Sequence, residues 1–434
     1  MENDMQGYFT DKVETGTMIE RFQKIKKSKL PWLLFYIGLT MELLIVIIDK
    51  SNYVNPVEGR LFQITFLFFA LKLLLTDYTK KQWCTILILE AVAFCSYRIT
   101  GGNELIRLVT FVAACKDIPL RQMLKYTFYV TLLGCVAIVL LSVSGIYGDI
   151  SLTQAFGHDD PETTRYIGEA ASMETRYTLG MGHPNALSCM FLMLVVLGVY
   201  VYFAQMKWYM YLFIMLLNAG VYMLTESKTG MLITSIFLVG ACVLTYCRFC
   251  RERIFIYLCG LLVFVFCIGF SVDAAVCAQR VRDAQWNEFF YWDPRDNGHI
   301  VALMRIDRHI NGRIVSLTDS EENDGMIQTW SAFSEPNNME HYFDMGWVKL
   351  FYRYGIVPGS LYVLACLVLM WKFYKKKDAC GILLFATLAV YTVVEAHLVS
   401  VYLGRNFLLM MMGYYLFMQK TQTGESAAGE TGKI

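Results

Sequence analysis

Charge is scarce in this chain. Lys, Arg, Asp and Glu make up 17% of its 434 residues, where a soluble globular domain carries about 25%. With 56% of the residues hydrophobic and 15% aromatic, a soluble fold is excluded and a membrane protein is expected. A net charge of +1, spread along the chain instead of pooled in one basic patch, argues against nucleic acid as a partner. The thirteen cysteines lie mostly inside apolar runs (Cys135, Cys189, Cys242, Cys259, Cys267, Cys366), and no CxxC pair is matched by a second one. They therefore read as small core residues, with no zinc site and no other cofactor expected. The opening stretch "MENDMQGYFTDKVETGTMIERFQKIKKSK" lacks the basic start and small-residue cleavage site of a signal peptide, so the first apolar run is expected to be a permanent anchor. No internal repeat is visible, which counts against transporters built from duplicated halves.

What the chain has in quantity is apolar runs. About 20 apolar residues cross a ~30 Å hydrocarbon core as a helix, and runs of that order predict about twelve transmembrane helices near 30–48, 61–76, 83–98, 103–115, 126–147, 186–203, 208–225, 229–247, 254–272, 347–371, 379–396 and 401–418. The fourth is short and interrupted by Arg107, which predicts a tilted, broken or re-entrant segment. The fold class is thus an all-α polytopic membrane protein.

Basic residues set the expected orientation, because lysine and arginine accumulate in short cytoplasmic connections. With the N-terminus inside, the inner connections hold 18 Lys and Arg and the short outer ones seven. Both termini are then cytoplasmic, as tails 1–29 and 419–434. The membrane helices fall into groups over 30–147, 186–272 and 347–418, separated by outer loops 148–185 and 273–346. Both loops are long enough to carry function. The larger opens "DAAVCAQRVRDAQWNEFFYWDPRDNGH", whose aromatics suit a helix lying at the headgroup level.

Four polar constellations border the apolar runs. In "RYTLGMGHPN" (176–185), Pro184 falls where the first turn of the next helix begins, a position that needs no N–H. A helix N-terminus carries partial positive charge, so Gly182, His183 and Asn185 with Arg176 nearby form a candidate anion receptor. "TESKTG" (225–230) holds Glu226 and Lys228 at a membrane boundary, where charge is costly unless used or paired; an interfacial hairpin with a snorkelling lysine would read the same way. "NMEHYFDMGWVKLFYRYGIVPGSL" (338–361) spaces His341 and Asp344 by three, one helical face, alongside Arg353; an imidazole and a carboxylate so placed can share a proton with a hydroxyl. "EAHLVSVYLGRNFLL" (395–409) adds Glu395, His397, Arg405 and Asn406, while "NGRIVSL" contributes Arg313 and "YRITGG" Arg98. Seven or eight cations around two polar loops can hold a diphosphate, which guanidinium groups match with paired hydrogen bonds.

In this order the motifs resemble those of bacterial O-antigen polymerases and ligases. "RYTLGMGHPNALS" is similar to the arginine, glycine and "hPN" entrance of that superfamily, "SKTG" to its "SRTG" turn, and "NGRIVSL" to its "GR" step. "EHYFDMGWVKLFYRYGIVPG" resembles its closing pattern, and the tail resembles capsular and exopolysaccharide polymerases of the Wzy type. The resemblance runs from about residue 176 to 410.

It implies a metal-independent glycosyltransferase that joins undecaprenyl-diphosphate-linked oligosaccharide repeat units at the outer face of the bacterial cytoplasmic membrane. A flippase and a chain-length regulator are the implied partners. Carried over by position, Arg176, Lys228 and Arg313 hold the diphosphate with His183, Asn185, Arg98, Arg353 and Arg405 around them. His341, Asp344 or Glu395 serves as the base. A ligase transferring a finished glycan, or a lipid-linked oligosaccharide flippase, are the alternative readings. Two departures stand out: a lysine, Lys228, where arginine is usual, and an acidic stretch "TDSEENDGMIQTWSAFSEPNN" in place of a glycine-rich approach to the closing motif.

Overall fold

The computed structural model describes residue 26 and residues 29–155, 173–286, 294–318, 325–336, 343–400 and 402–418. Fourteen helices and one two-stranded sheet are found among them. In chain order the helices are α1 (Leu30–Asp49), α2 (Glu58–Leu74), α3 (Lys80–Thr100), α4 (Glu104–Ala114) and α5 (Leu120–Val143), followed by α6 (Pro184–Tyr202), α7 (Trp208–Thr225), α8 (Lys228–Tyr246) and α9 (Arg253–Trp286). The last five are α10 (Pro294–His309), α11 (Gly346–Tyr354), α12 (Ile356–Lys376), α13 (Ala379–Val394) and α14 (Phe407–Phe417).

Local sequence explains several of the boundaries. Pro184 takes the first position of α6 behind His183 as N-cap, and Thr79 with Gln82 forms a reciprocal capping box at α3, satisfying donors that no helical carbonyl reaches.

Eight of these helices (α1, α3, α5, α6, α7, α8, α9 and α12) are long and apolar enough to cross a bilayer, so the chain is a multi-pass helical membrane protein. Four predicted crossings are helical but shorter: α2 has 17 residues, α4 has 11, α13 has 16 and α14 has 11. The shortness of α13 and α14 has a common cause. Between them the chain leaves the helical path, and Leu398, Val399, Leu403 and Asn406 in that stretch are buried within the bundle. Non-helical backbone is tolerated at such depth only where protein surrounds it. Helix α14 is buried on every side, with Leu408 to Met412 at most 2% exposed, the pattern of a central helix apolar all round. It packs on α4, α5 and α12.

The large loop differs from expectation. Instead of a separate interfacial helix after residue 272, α9 continues unbroken for 34 residues. That length is about 50 Å at 1.5 Å per residue, some 20 Å more than a hydrocarbon core, so its last third projects from the bundle. Helix α10 packs alongside this projection around a second apolar core that includes Ala274, Ala278, Val281, Ile300, Leu303, Ile314 and Tyr352.

The smaller loop carries an antiparallel hairpin that periodicity did not signal, β1 (Ser151–Ala155) against β2 (Met173–Tyr177), with Leu152 opposite Arg176.

Gly355 joins α11 to α12 with φ +92°, and the first N–H groups of α12 are satisfied by backbone carbonyls, Ile356 from Ser331 (2.9 Å) and Val357 from Ala332 (3.0 Å). A Cβ at Gly355 would stand 2.5 Å from the Phe333 Cα. Gly355→Ala is therefore expected to cost about 2–4 kcal/mol, read as a lowered Tm in detergent. Gly220→Ala, in open space on α7, is the neutral reference, and equal Tm values for the two variants would refute the account.

Candidate functional site

The loop 176–183 is held by two segments, the chain leaving α1 and the residues before β1. Gly182 donates to the Lys50 carbonyl (2.9 Å), Gly180 to the Asp149 carbonyl (2.9 Å), and Met181 bridges to Ser51. Leu179 and Gly180 both have positive φ, +48° and +83°, which turns the chain from the hairpin into α6. Arg176 leaves β2 to meet Glu174 (2.6 Å) and Glu226 (3.4 Å). The opening motif and the "TESKTG" motif are thereby joined through Glu226, itself the left-handed C-cap of α7 at φ +52°.

His183 accepts from the Asn185 backbone N–H at Nδ1 (3.1 Å). Burial, with Arg176 and Arg313 nearby, holds its imidazole below the ordinary range, so it is a neutral acceptor cap. The N–H groups of Gly182 and Asn185, expected to receive an anion, thus already have partners. Gly230 of "SKTG" is a packing residue: its Cβ would fall on the Ser188 hydroxyl of α6. Lys228 begins α8 and is exposed.

The loop after α10 presents Arg313. Asn311 and Gly312 both adopt positive φ, +57° and +70°, reversing the chain, and the fully buried Asp307 carboxylate accepts from the Ile314 N–H (2.6 Å) and from Gln285 (2.9 Å). The guanidinium so placed pairs with Asp344 through Nη1 and with Glu395 through Nη2 (3.1 Å). All three side chains keep some exposure, between 18% and 22%, so a ligand can reach them. Burial pushes the Glu395 carboxyl above the ordinary carboxylate range, against the pull of Arg313, Arg405 and Lys50.

Behind Glu395 lies a buried layer. His397 is fully buried; its Nδ1 accepts from Arg405 Nε (2.9 Å) and its Nε2 lies 3.1 Å from the Arg405 carbonyl. An arginine can only donate, so Nδ1 is the acceptor and the proton is on Nε2. Arg405 also reaches Cys189 Sγ (3.6 Å). Its role in this layer is to pin the broken segment between α13 and α14, with its charge near Glu395.

Two of the expected cations lie apart. Arg353 pairs with Glu104 at 2.7 Å, and Arg98 is exposed in the last turn of α3 with no ion pair to the cluster's described residues. His341 lies outside the described residues, while Asp344 precedes α11 instead of sharing a helical face.

An apolar cavity of about 430 Å³ runs between α3 and α4 on one side and α12 and α14 on the other. Ser400 and Asn406, from the broken segment beside Glu395, line one part of it, and Lys81, Gln82 and Phe417 another.

The chain matches no known family, characterised protein or solved structure. The reading of the site therefore stands on its own geometry.

Sequence reasoning missed Asp307, Lys50 and Glu174. Asp307 had a signal, since an acid four residues ahead of an Asn-Gly pair is placed to cap the turn it makes. Nothing local marks Lys50, whose charge acts on Glu395 only because α1 ends beside the broken segment.

Proposed function

We propose that this protein is a polymerase of undecaprenyl-diphosphate-linked oligosaccharide repeat units, forming glycosidic bonds at the outer face of a bacterial cytoplasmic membrane. The observation that carries the reading is Arg313 held between Asp344 and Glu395, with Arg405 and Lys50 acting on Glu395 and Arg176 acting with Arg313 on His183, while the segment that follows Glu395 lines an apolar cavity. In this reading α2, α4, α13 and α14 complete a set of twelve crossings with both termini inside.

The reaction is substitution at an anomeric carbon. The acceptor hydroxyl of one lipid-linked unit attacks, the bond from that carbon to the diphosphate oxygen breaks, and the lipid diphosphate leaves. Arg176, Arg313 and Lys228 neutralise the charge that develops on it, the kind of electrostatic assistance that supplies much of an enzyme's rate. An arriving phosphate oxygen competes for the Arg313 guanidinium, and the carboxylate it displaces is free to take the acceptor proton. The apolar cavity suits a polyprenyl chain, with its polar end toward the same loop. A ligase would use the same residues on a different acceptor. A flippase fits less well, because the cations assigned to the diphosphate border two loops outside the apolar spans: Arg176 lies in the hairpin before α6 and Arg313 in the turn after α10.

Membranes supplied with lipid-linked repeat units test this. Wild type is expected to yield a glycan ladder, and Arg176→Ala single units. Absence of a ladder from wild type, with lipid-linked units changing sides, would overturn the reading in favour of a transporter. A base must be deprotonated to act, so a Glu395 pKa above the usual ~4.3 moves the acid limb of the rate profile upward in pH. Glu395→Gln is expected to lose that limb and most of the rate; an unchanged profile would remove Glu395 as the base.

A further inference from the structure

A second cluster lies on the projecting part of the large loop, away from Arg313. Asp273 and Cys277 are four residues apart on α9 and so share one face, and His299 approaches from the second turn of α10. His299 Nε2 is 3.0 Å from the Asp273 carboxylate, and the Cys277 thiol donates to Asp273 Oδ1 at 3.7 Å. One donor atom from each residue lies within 4.8 Å of the other two. The seam around them is made of Ala274, Ala275 and Ala278, all fully buried, and these small residues let α10 come close to α9.

We propose that Asp273, Cys277 and His299 form a Zn²⁺ site that clips α10 to the projecting end of α9. The donor set is one thiolate, one imidazole and one carboxylate, the three ligand types zinc takes, with water in the fourth tetrahedral position. Zinc bonds of about 2.0–2.3 Å place donor atoms roughly 3.3–3.8 Å apart. The imidazole and carboxylate are already inside that distance, so only a small closing movement of the side chains is required. A hard, all-oxygen cation such as Mg²⁺ is disfavoured by the sulfur and nitrogen donors. Binding expels the thiol proton, so affinity rises with pH.

The clip has a consequence for the other site. The last turn of α10 holds Asp307, which sets the turn presenting Arg313, so metal bound at one end of the hairpin steadies the cation at the other.

Full-length protein in detergent, stripped of metal, can be titrated with Co²⁺ as an optical stand-in for Zn²⁺. Wild type is expected to bind one equivalent with a thiolate-to-cobalt charge-transfer band that Zn²⁺ displaces, and Zn²⁺ should raise its Tm. Cys277→Ser should lose the band. His299→Ala, at a side chain 61% exposed and so expected to fold, should weaken binding by more than the roughly 10- to 100-fold that loss of an outer-shell partner costs, and should lose the Tm response. The Cys247→Ser/Cys250→Ser double variant should keep both, which separates this site from the neighbouring thiols Cys247 and Cys250 between α8 and α9. No band in wild type, a band surviving in Cys277→Ser, or an undiminished Zn²⁺ response in His299→Ala would each overturn the proposal.

Discussion

Arg313→Ala is expected to abolish the glycan ladder and to lower turnover by about 10²- to 10³-fold, the usual loss when one preorganised donor to a developing anion is removed. The size follows from the double role of the side chain. Its two terminal nitrogens hold Asp344 and Glu395, so truncation removes the proposed partner of the diphosphate and leaves two carboxylates without their shared cation. Arg313→Lys keeps the charge but loses the planar fork, and a point charge cannot serve two carboxylates, or a diphosphate, in the same geometry. It should therefore fall between wild type and alanine. Measured in membranes with lipid-linked repeat units, a ladder of wild-type length from Arg313→Ala would remove this residue from the chemistry. A Tm fall of several degrees with turnover intact would make it a structural tie alone.

The second large effect is on stability. Glu42 of α1 is fully buried and Arg107 of α4 is 4% exposed. They meet at 3.3 Å, with the Thr65 hydroxyl donating to the same carboxylate oxygen at 2.6 Å and the guanidinium lying 3.7 Å from the Phe62 ring centroid. Removing one partner strands the other in an apolar setting. Glu42→Ala and Arg107→Ala are each expected to cost about 3–5 kcal/mol.

The joint replacement Glu42→Met/Arg107→Met should recover most of that loss, because neither charge then has to be desolvated. Thermal unfolding of the three variants in detergent decides the matter: a double variant no better than the singles would show that the pair is not the source of the effect. Gly404 packs directly on the Glu42 backbone, so the single variants should also disturb the broken segment that carries Arg405.

Much of the architecture was legible from pattern alone, because bilayer thickness imposes a length on every spanning helix. A charge in the middle of an apolar run has to be paired or to mark an interruption; at Arg107 it is paired, for α4 runs unbroken through it from Glu104 to Ala114 with the guanidinium turned onto Glu42. The continuation of α9 was not legible. Its final third is no more polar than an interfacial helix, and only the facing surface of α10 shows that its small residues, Ala274, Ala275 and Ala278, form a packed seam. The hairpin 151–155/173–177 was missed because two short strands joined across a long gap leave no alternation to read.

The sequence by itself determined that this is a many-helix membrane protein, where its polar constellations fall along the chain, and that Pro184 opens a helix. Each of these follows from local physics: transfer of apolar residues out of water, and the geometry of a helix end. Tertiary structure alone decided which constellations meet. It joined Arg313 to Asp344 and Glu395 across gaps of 31 and 82 residues, tied Arg176 to Glu226, and set Arg353 apart with Glu104. A charge pair depends on distance in space, and in a bundle that distance is set by which helices pack side by side. No local pattern records that choice.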